Sequence, residues 1–192
     1  MESLLISTGV VALAEIGDKT QLLAFILAAR FKKPLPIIAG IFCATIVNHG
    51  LAGALGAWIT SVVSPDAMRW ILGISFIGMA IWTMIPDKIE EEETHIAKKW
   101  GVFGATLITF FLAEMGDKTQ IATVALAAHY AAPLMVVIGT TLGMLIADVP
   151  AVFVANKFAG KIPMKLVHSI AAAVFAVLGI ATLFGAGTTF GL

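Results

Sequence analysis

The octapeptide AEIGDKTQ, Ala14–Gln21, recurs as AEMGDKTQ, Ala113–Gln120, 99 positions further along the chain. Seven of the eight residues are identical, and each copy places two carboxylates and one lysine inside a long apolar stretch. An ionised side chain at the centre of a bilayer costs at least ~2.5–3.5 kcal/mol. A membrane chain that keeps six such groups must therefore compensate them, either structurally or by binding an ion.

The composition indicates that the surrounding stretches do lie in a membrane. The 192 residues are 59% hydrophobic and 12% charged, with a mean hydropathy of +0.99, whereas soluble domains carry about 25% charged residues. A bilayer core about 30 Å thick requires about 20 helical residues. We therefore predict an all-α integral membrane protein with six transmembrane helices, at Leu4–Ala29, Leu35–Val62, Met68–Ile85, Val102–Ala128, Leu134–Ala155 and Leu166–Phe184.

The repeat extends beyond the octapeptide, because LAARFKKPLPIIAG (Leu27–Gly40) matches LAAHYAAPLMVVIG (Leu126–Gly139) at the same offset. We predict two three-helix repeats, 1–86 and 101–192, joined by an acidic cytoplasmic linker, 87–100, that contains Glu90–Glu93. Three helices per repeat is an odd number, so the second repeat should be inverted relative to the first. Inverted repeats are typical of secondary transporters.

The distribution of lysine and arginine predicts the orientation. Outside the two octapeptides, nine of these residues fall in loops one, three and five, and only Arg69 falls elsewhere. Cytoplasmic loops carry the excess of positive charge. We therefore expect both termini to be extracytoplasmic.

The acidic residues of the two octapeptides are the candidate metal ligands. Glu15 and Asp18 are three residues apart, as are Glu114 and Asp117, so each pair is expected to share a helix face near the bilayer midplane. If the two motif lysines only paired with these four acids, two of the acids would have no lysine partner. If the repeats meet on a pseudo-twofold axis, four carboxylates and two lysines leave a formal charge of about −2, which suits one divalent cation.

Other polar residues of the spans are expected to support the metal or a proton pathway. Oxygen donors and the absence of histidine or cysteine from both octapeptides favour Mg²⁺, Ca²⁺ or Mn²⁺ over Zn²⁺ or Cu⁺. Protons and metal compete for the same carboxylate oxygens, which is the minimal chemistry of an antiporter. The supporting set is Lys19, Thr20, Gln21, Asn48, His49, Lys118, Thr119, Gln120 and Asp148.

The hexapeptides EIGDKT (Glu15–Thr20) and EMGDKT (Glu114–Thr119) carry a resemblance to a known family. They match E-x-G-D-[KR]-[ST], the signature of the Golgi-type Ca²⁺/Mn²⁺:H⁺ exchangers, and the chain is most similar to the short bacterial MneA-type manganese exporters. The resemblance implies Mn²⁺ export from the cytoplasm driven by H⁺ entry, with Ca²⁺ as the other substrate. It also implies metal ligation by Glu15, Asp18, Glu114 and Asp117, and a multi-pass location in the bacterial inner membrane.

The expected partners are the metal ion, protons and the lipid bilayer, with no nucleic acid. No cofactor and no enzymatic activity are expected, because the metal is cargo. A passive divalent-cation channel or uniporter remains the alternative function, since a ring of carboxylates also serves as a selectivity filter. A regulatory membrane subunit would instead tolerate the loss of a motif acid, and an intramembrane aspartyl protease would carry Gly-x-Gly-Asp where this chain has glutamate.

Overall fold

All regular structure in the described ranges of the computed structural model, residues 1–84, 97–154 and 164–184, is α-helical. Eight helices follow one another, and four from the first half of the chain correspond in order to four from the second half. Their bounds are α1 Glu2–Glu15, α2 Lys19–Phe31, α3 Pro34–Val62, α4 Pro65–Thr83, α5 Ala97–Glu114, α6 Lys118–Tyr130, α7 Pro133–Val154 and α8 Met164–Leu183.

The first and fourth predicted spans are each divided into two helices at the acidic motif. Residues Glu15 to Asp18 form a β-turn in which the Asp18 N–H donates to the Glu15 carbonyl at 3.0 Å. Ile16 has φ −62° and ψ 113°, and Gly17 has φ 88°. These angles define a type II turn, whose third position requires a positive φ and therefore favours glycine. The second copy repeats the turn, with a 3.1 Å hydrogen bond and a glycine φ of 79°.

The division corrects one prediction. Glu15 is the last residue of α1, and Asp18 precedes α2, so the two acids do not share a helix face. The physical reason is that Gly17 turns the chain between them. The turn nevertheless keeps both carboxylates on the inside of the molecule.

The longest helices are α3 and α7. By length and composition these two described helices are apolar enough to cross a membrane. Both begin with a proline, Pro34 and Pro133, a residue well suited to the first helical position. With 29 and 22 residues they extend about 44 Å and 33 Å at 1.5 Å per residue.

Each long helix packs against a helix of the other half of the chain. Helix α7 lies along α1, and α3 lies along α5 and α6. Two glycines at equivalent positions permit a close approach of these helices. A Cβ on Gly40 would lie 2.7 Å from the Thr106 Cβ, and one on Gly139 would lie 2.6 Å from the Leu4 carbonyl oxygen. The two halves are therefore interlocked rather than laid side by side.

Two apolar clusters enclose the turns. One joins α1, α4, α6, α7 and α8 around Phe76, Leu126 and Phe175, and the other joins α1, α2, α3, α5 and α7 around Ile37 and Phe110. Outside them, many large apolar side chains remain more than half exposed, which is expected where lipid covers the protein. The predicted acidic linker, with Glu90–Glu93, lies outside the described residues except for its last four positions.

Candidate metal-binding site

The two turns bring together the four motif acids. Glu15, Asp18, Glu114 and Asp117 are all buried, none more than 3% exposed. One carboxylate oxygen from each residue lies within 4.8 Å of those of the other three. An aspartate at a helix N-cap usually accepts a hydrogen bond from its own helix, but neither Asp18 nor Asp117 makes a side-chain cap of this kind. Both carboxylates instead face the centre of the molecule.

The motif lysines pair across the two halves of the chain. The Lys118 ammonium donates a hydrogen bond to Asp18 Oδ1, and the Lys19 ammonium lies 3.3 Å from Asp117 Oδ1. Each lysine therefore pairs with the aspartate of the other motif. Four carboxylates and two ammonium groups leave a formal charge of −2 at the cluster.

The two ion pairs have different surroundings. The side chain of Lys118 is 2% exposed and that of Asp18 is fully buried, whereas the side chain of Lys19 is 26% exposed. The glycines that precede the two aspartates differ in the same way. Gly17, next to Asp18 of the enclosed pair, is half-buried, whereas Gly116, next to Asp117 of the other pair, is exposed. The cluster is thus sealed around one ion pair and more open around the other.

The threonines of the motifs bind the glutamates. Thr20 Oγ1 donates to Glu15 Oε2 at 2.6 Å, and Thr119 Oγ1 donates to Glu114 Oε2 at 2.9 Å. The second oxygens, Oε1 of Glu15 and of Glu114 and Oδ2 of Asp117, are buried and have no hydrogen-bond partner within the described part of the chain. Buried carboxylate oxygens are rarely left without a partner, so these atoms are available to a ligand.

The side-chain oxygens of the two motif glutamines bind the backbone of the turns. Gln21 Oε1 accepts from the Gly17 N–H and Gln120 Oε1 accepts from the Gly116 N–H, each at 2.8 Å, so both oxygens stabilise the turns. Gln21 Nε2 also donates to the Ala147 carbonyl at 2.9 Å and ties the first turn to α7. Nothing in the sequence indicates that a backbone carbonyl of α7 would bind this glutamine.

Three further polar residues predicted to support the site, Asn48, His49 and Asp148, are buried in the long helices. Asn48 Nδ2 donates to the Phe111 carbonyl at 3.1 Å, so this amide connects α3 to α5. His49 and Asp148 occupy equivalent positions of α3 and α7, and both are fully buried. Across the described ranges, neither ring nitrogen of His49 and neither carboxylate oxygen of Asp148 has a hydrogen-bond partner. Asp148 lies within electrostatic range of Glu15 and Glu114.

Buried acids within an apolar, all-helical chain are typical of membrane proteins that move ions. The sequence profile of the divalent cation/proton antiporter GDT1 family matches this chain twice, over residues 3–91 and 102–189, and the chain therefore belongs to that family. It is a family of membrane transporters rather than of enzymes. The turns between α1 and α2 and between α5 and α6 lie in the first and second matched stretches, respectively.

Individual relatives are similar over most of their length. A Vibrio cholerae protein named "Putative manganese exporter" is 51% identical over 185 residues, covering 96% of this chain and 92% of the relative. "GDT1-like protein 3" of Oryza sativa is 27% identical over 95% of this chain and 74% of the relative. "GDT1-like protein 5" of Arabidopsis thaliana is 27% identical over 89% of this chain and 90% of the relative. No solved structure matches this chain.

Proposed function

We propose that this protein exports divalent cations from the cytoplasm in exchange for protons, with Mn²⁺ as the main substrate and Ca²⁺ as the second. The observation that carries the proposal is the cluster of four buried carboxylates, whose ligand atoms lie within 4.8 Å of one another. Family membership supports cation/proton exchange, and the name of the Vibrio cholerae relative supports manganese.

The charge and chemistry of the cluster support a divalent cargo. Its formal charge of −2 would be balanced by one divalent ion. Three of the carboxylates, those of Glu15, Glu114 and Asp117, use one oxygen within the protein and leave the other without a partner among the described residues. Hard oxygen ligands suit Mn²⁺ and Ca²⁺, whereas Zn²⁺ and Cu⁺ sites contain histidine or cysteine.

A fifth buried acid, Asp148, is a candidate site for binding the exchanged proton. Asp148 would raise the formal charge near the metal-free site to −3. A proton on Asp148 would reduce this negative charge while no metal is bound, and binding of the divalent ion would favour release of that proton. We therefore propose Asp148 as a proton carrier. His49, its counterpart in α3, is the candidate for a relay of the proton from the other half. The motif carboxylates themselves take up either metal or protons, because both bind the same oxygens.

We further propose six membrane spans arranged as inverted repeats, 1–86 and 101–192, with both termini extracytoplasmic in the bacterial inner membrane. The pair α1 and α2, about 21 Å and 20 Å long, together spans a bilayer core about 30 Å thick. The equivalent pair α5 and α6 would do the same. Discontinuous helices that meet at a midplane site are a recurrent feature of secondary transporters.

A passive channel is the alternative, and the asymmetry of the two ion pairs favours exchange over it. In an alternating-access cycle only one side of the site is open at a time. The pair of Lys118 and Asp18 is enclosed, whereas Lys19 of the other pair is partly exposed, and this difference supports a state that is open on one side only. A rocking motion of one repeat against the other would exchange the two environments.

The test of this function is Mn²⁺ flux into liposomes that contain the purified protein. We expect flux with the wild type and with Asp66→Asn, which removes an exposed acid of α4. We expect Asp117→Asn to lose most of the flux, because the variant removes one candidate ligand and half of an ion pair. Full flux with Asp117→Asn would exclude the proposed site.

A further inference from the structure

We infer that Thr20 and Thr119 are positioning residues that set the cation affinity of the site by fixing the ligand glutamates. The inference rests on the proposed function, since it concerns the same carboxylates. Both threonines are fully buried, and each donates its hydroxyl hydrogen to the glutamate five residues earlier. Each hydrogen bond crosses a turn and links the end of one helix to the start of the next.

The place of these threonines in the helix explains why their hydroxyls are available. A threonine inside a helix usually donates to the carbonyl three or four residues earlier. Thr123 does so, with Oγ1 2.8 Å from the Thr119 carbonyl oxygen, and Thr109 donates to the Ala105 carbonyl at 2.8 Å. Thr20 and Thr119 are the second residues of α2 and α6, so the residue four positions earlier lies in the turn. Their hydroxyls bind the glutamates instead.

The hydrogen bond leaves each glutamate with one oxygen for the ion. Oε2 accepts from the threonine, and Oε1 is buried with no partner in the ranges that the structure describes. Glu15 and Glu114 are the last residues of their helices, where the next turn of helix does not confine the side chain. The threonine therefore supplies a contact that fixes the orientation of the glutamate carboxylate within the cluster.

Residues that orient a metal ligand usually contribute 10–100-fold to metal affinity. We expect Thr119→Val, which keeps the shape of the side chain and removes the hydroxyl, to raise the KM for Mn²⁺ flux by roughly 10–100-fold. The maximal rate should change by less than about threefold, because the carboxylate itself remains. Thr20→Val should behave in the same way, since the two threonines make the same contact.

The matched control is Thr123→Val, which is the same substitution one turn further along α6. Its hydroxyl is also fully buried but binds a backbone carbonyl and no ligand residue. Thr119→Ser supplies the rescue, because serine keeps the hydroxyl. We expect both variants to have a KM within about threefold of the wild type. If Thr119→Val does not remain folded in detergent, Thr119→Ala replaces it in the comparison with Thr119→Ser.

The outcomes separate the two proposals. An active Thr119→Val protein with an unchanged KM overturns the positioning role and leaves the proposed function intact. An equal rise in KM for Thr119→Val and Thr123→Val also overturns it, because the effect would then be one of packing. A wild-type protein that moves neither Mn²⁺ nor Ca²⁺ defeats the proposed function itself.

Discussion

The two cross-repeat ion pairs are chemically equivalent, but the structure predicts that they contribute unequally to stability. Lys118→Met removes the ammonium that Asp18 binds at a fully enclosed position, where the side chains are 2% and 0% exposed. Removing one partner of a buried ion pair costs about 3–5 kcal/mol. Lys19 is 26% exposed although its partner Asp117 is 2% exposed, so this pair lies between a buried pair and a surface pair, which contributes about 0–1 kcal/mol. Lys118→Met should therefore cost more than Lys19→Met.

Thermal unfolding of the purified variants in detergent measures this difference. For a chain of this length, 1 kcal/mol shifts the Tm by about 2–4 °C. We expect Lys118→Met to lower the Tm by roughly 6–20 °C and Lys19→Met to lower it by a smaller amount. The double variant Lys118→Met/Asp18→Asn should recover part of the loss, because the neutral amide of asparagine leaves no uncompensated charge in the buried position. Equal shifts for the two lysines, or no recovery in the double variant, would refute the reasoning.

Four further substitutions test the turns, the helix packing and the fifth acid. Gly116→Ala should cost about 1–2 kcal/mol in unfolding free energy, because its φ is 79° although a Cβ would meet no atom within 4 Å. Gly139→Ala should cost about 1–3 kcal/mol, because its Cβ would lie 2.6 Å from a carbonyl oxygen of α1. Gly50→Ala, with open space around it in α3, should be neutral or stabilising in the same unfolding assay. Asp148→Asn should lower the number of protons exchanged per Mn²⁺ while Mn²⁺ binding is kept, and an unchanged ratio would exclude Asp148 as the proton carrier.

The sequence predicted which acids form the cluster but not the backbone turns that bring them together. Repetition of Glu-x-Gly-Asp-Lys-Thr at an offset of 99 was enough to predict that Glu15, Asp18, Glu114 and Asp117 would meet. Helical periodicity then predicted that the two acids of each motif share a helix face. That prediction was wrong because one glycine with a positive φ turns the chain between them.

The pairing within the site could not be predicted from the sequence for a different reason. Each lysine follows its own aspartate directly, and nothing in the order of residues indicates that it binds the other one. That choice depends on how α1 and α5 pack against α7 and α3, which side-chain spacing does not specify. The same holds for Gln21 and Asn48, whose partners are the backbone carbonyls of Ala147 and Phe111.

The measurement that tests the central claim most directly records Mn²⁺ flux and internal pH together in liposomes that contain the wild-type protein. An imposed Mn²⁺ gradient, without any initial pH gradient, should drive Mn²⁺ across the membrane and protons in the opposite direction. We predict a pH change that requires both the protein and Mn²⁺, and that disappears with Asp117→Asn. Mn²⁺ movement without any pH change would contradict exchange and indicate a channel or uniporter.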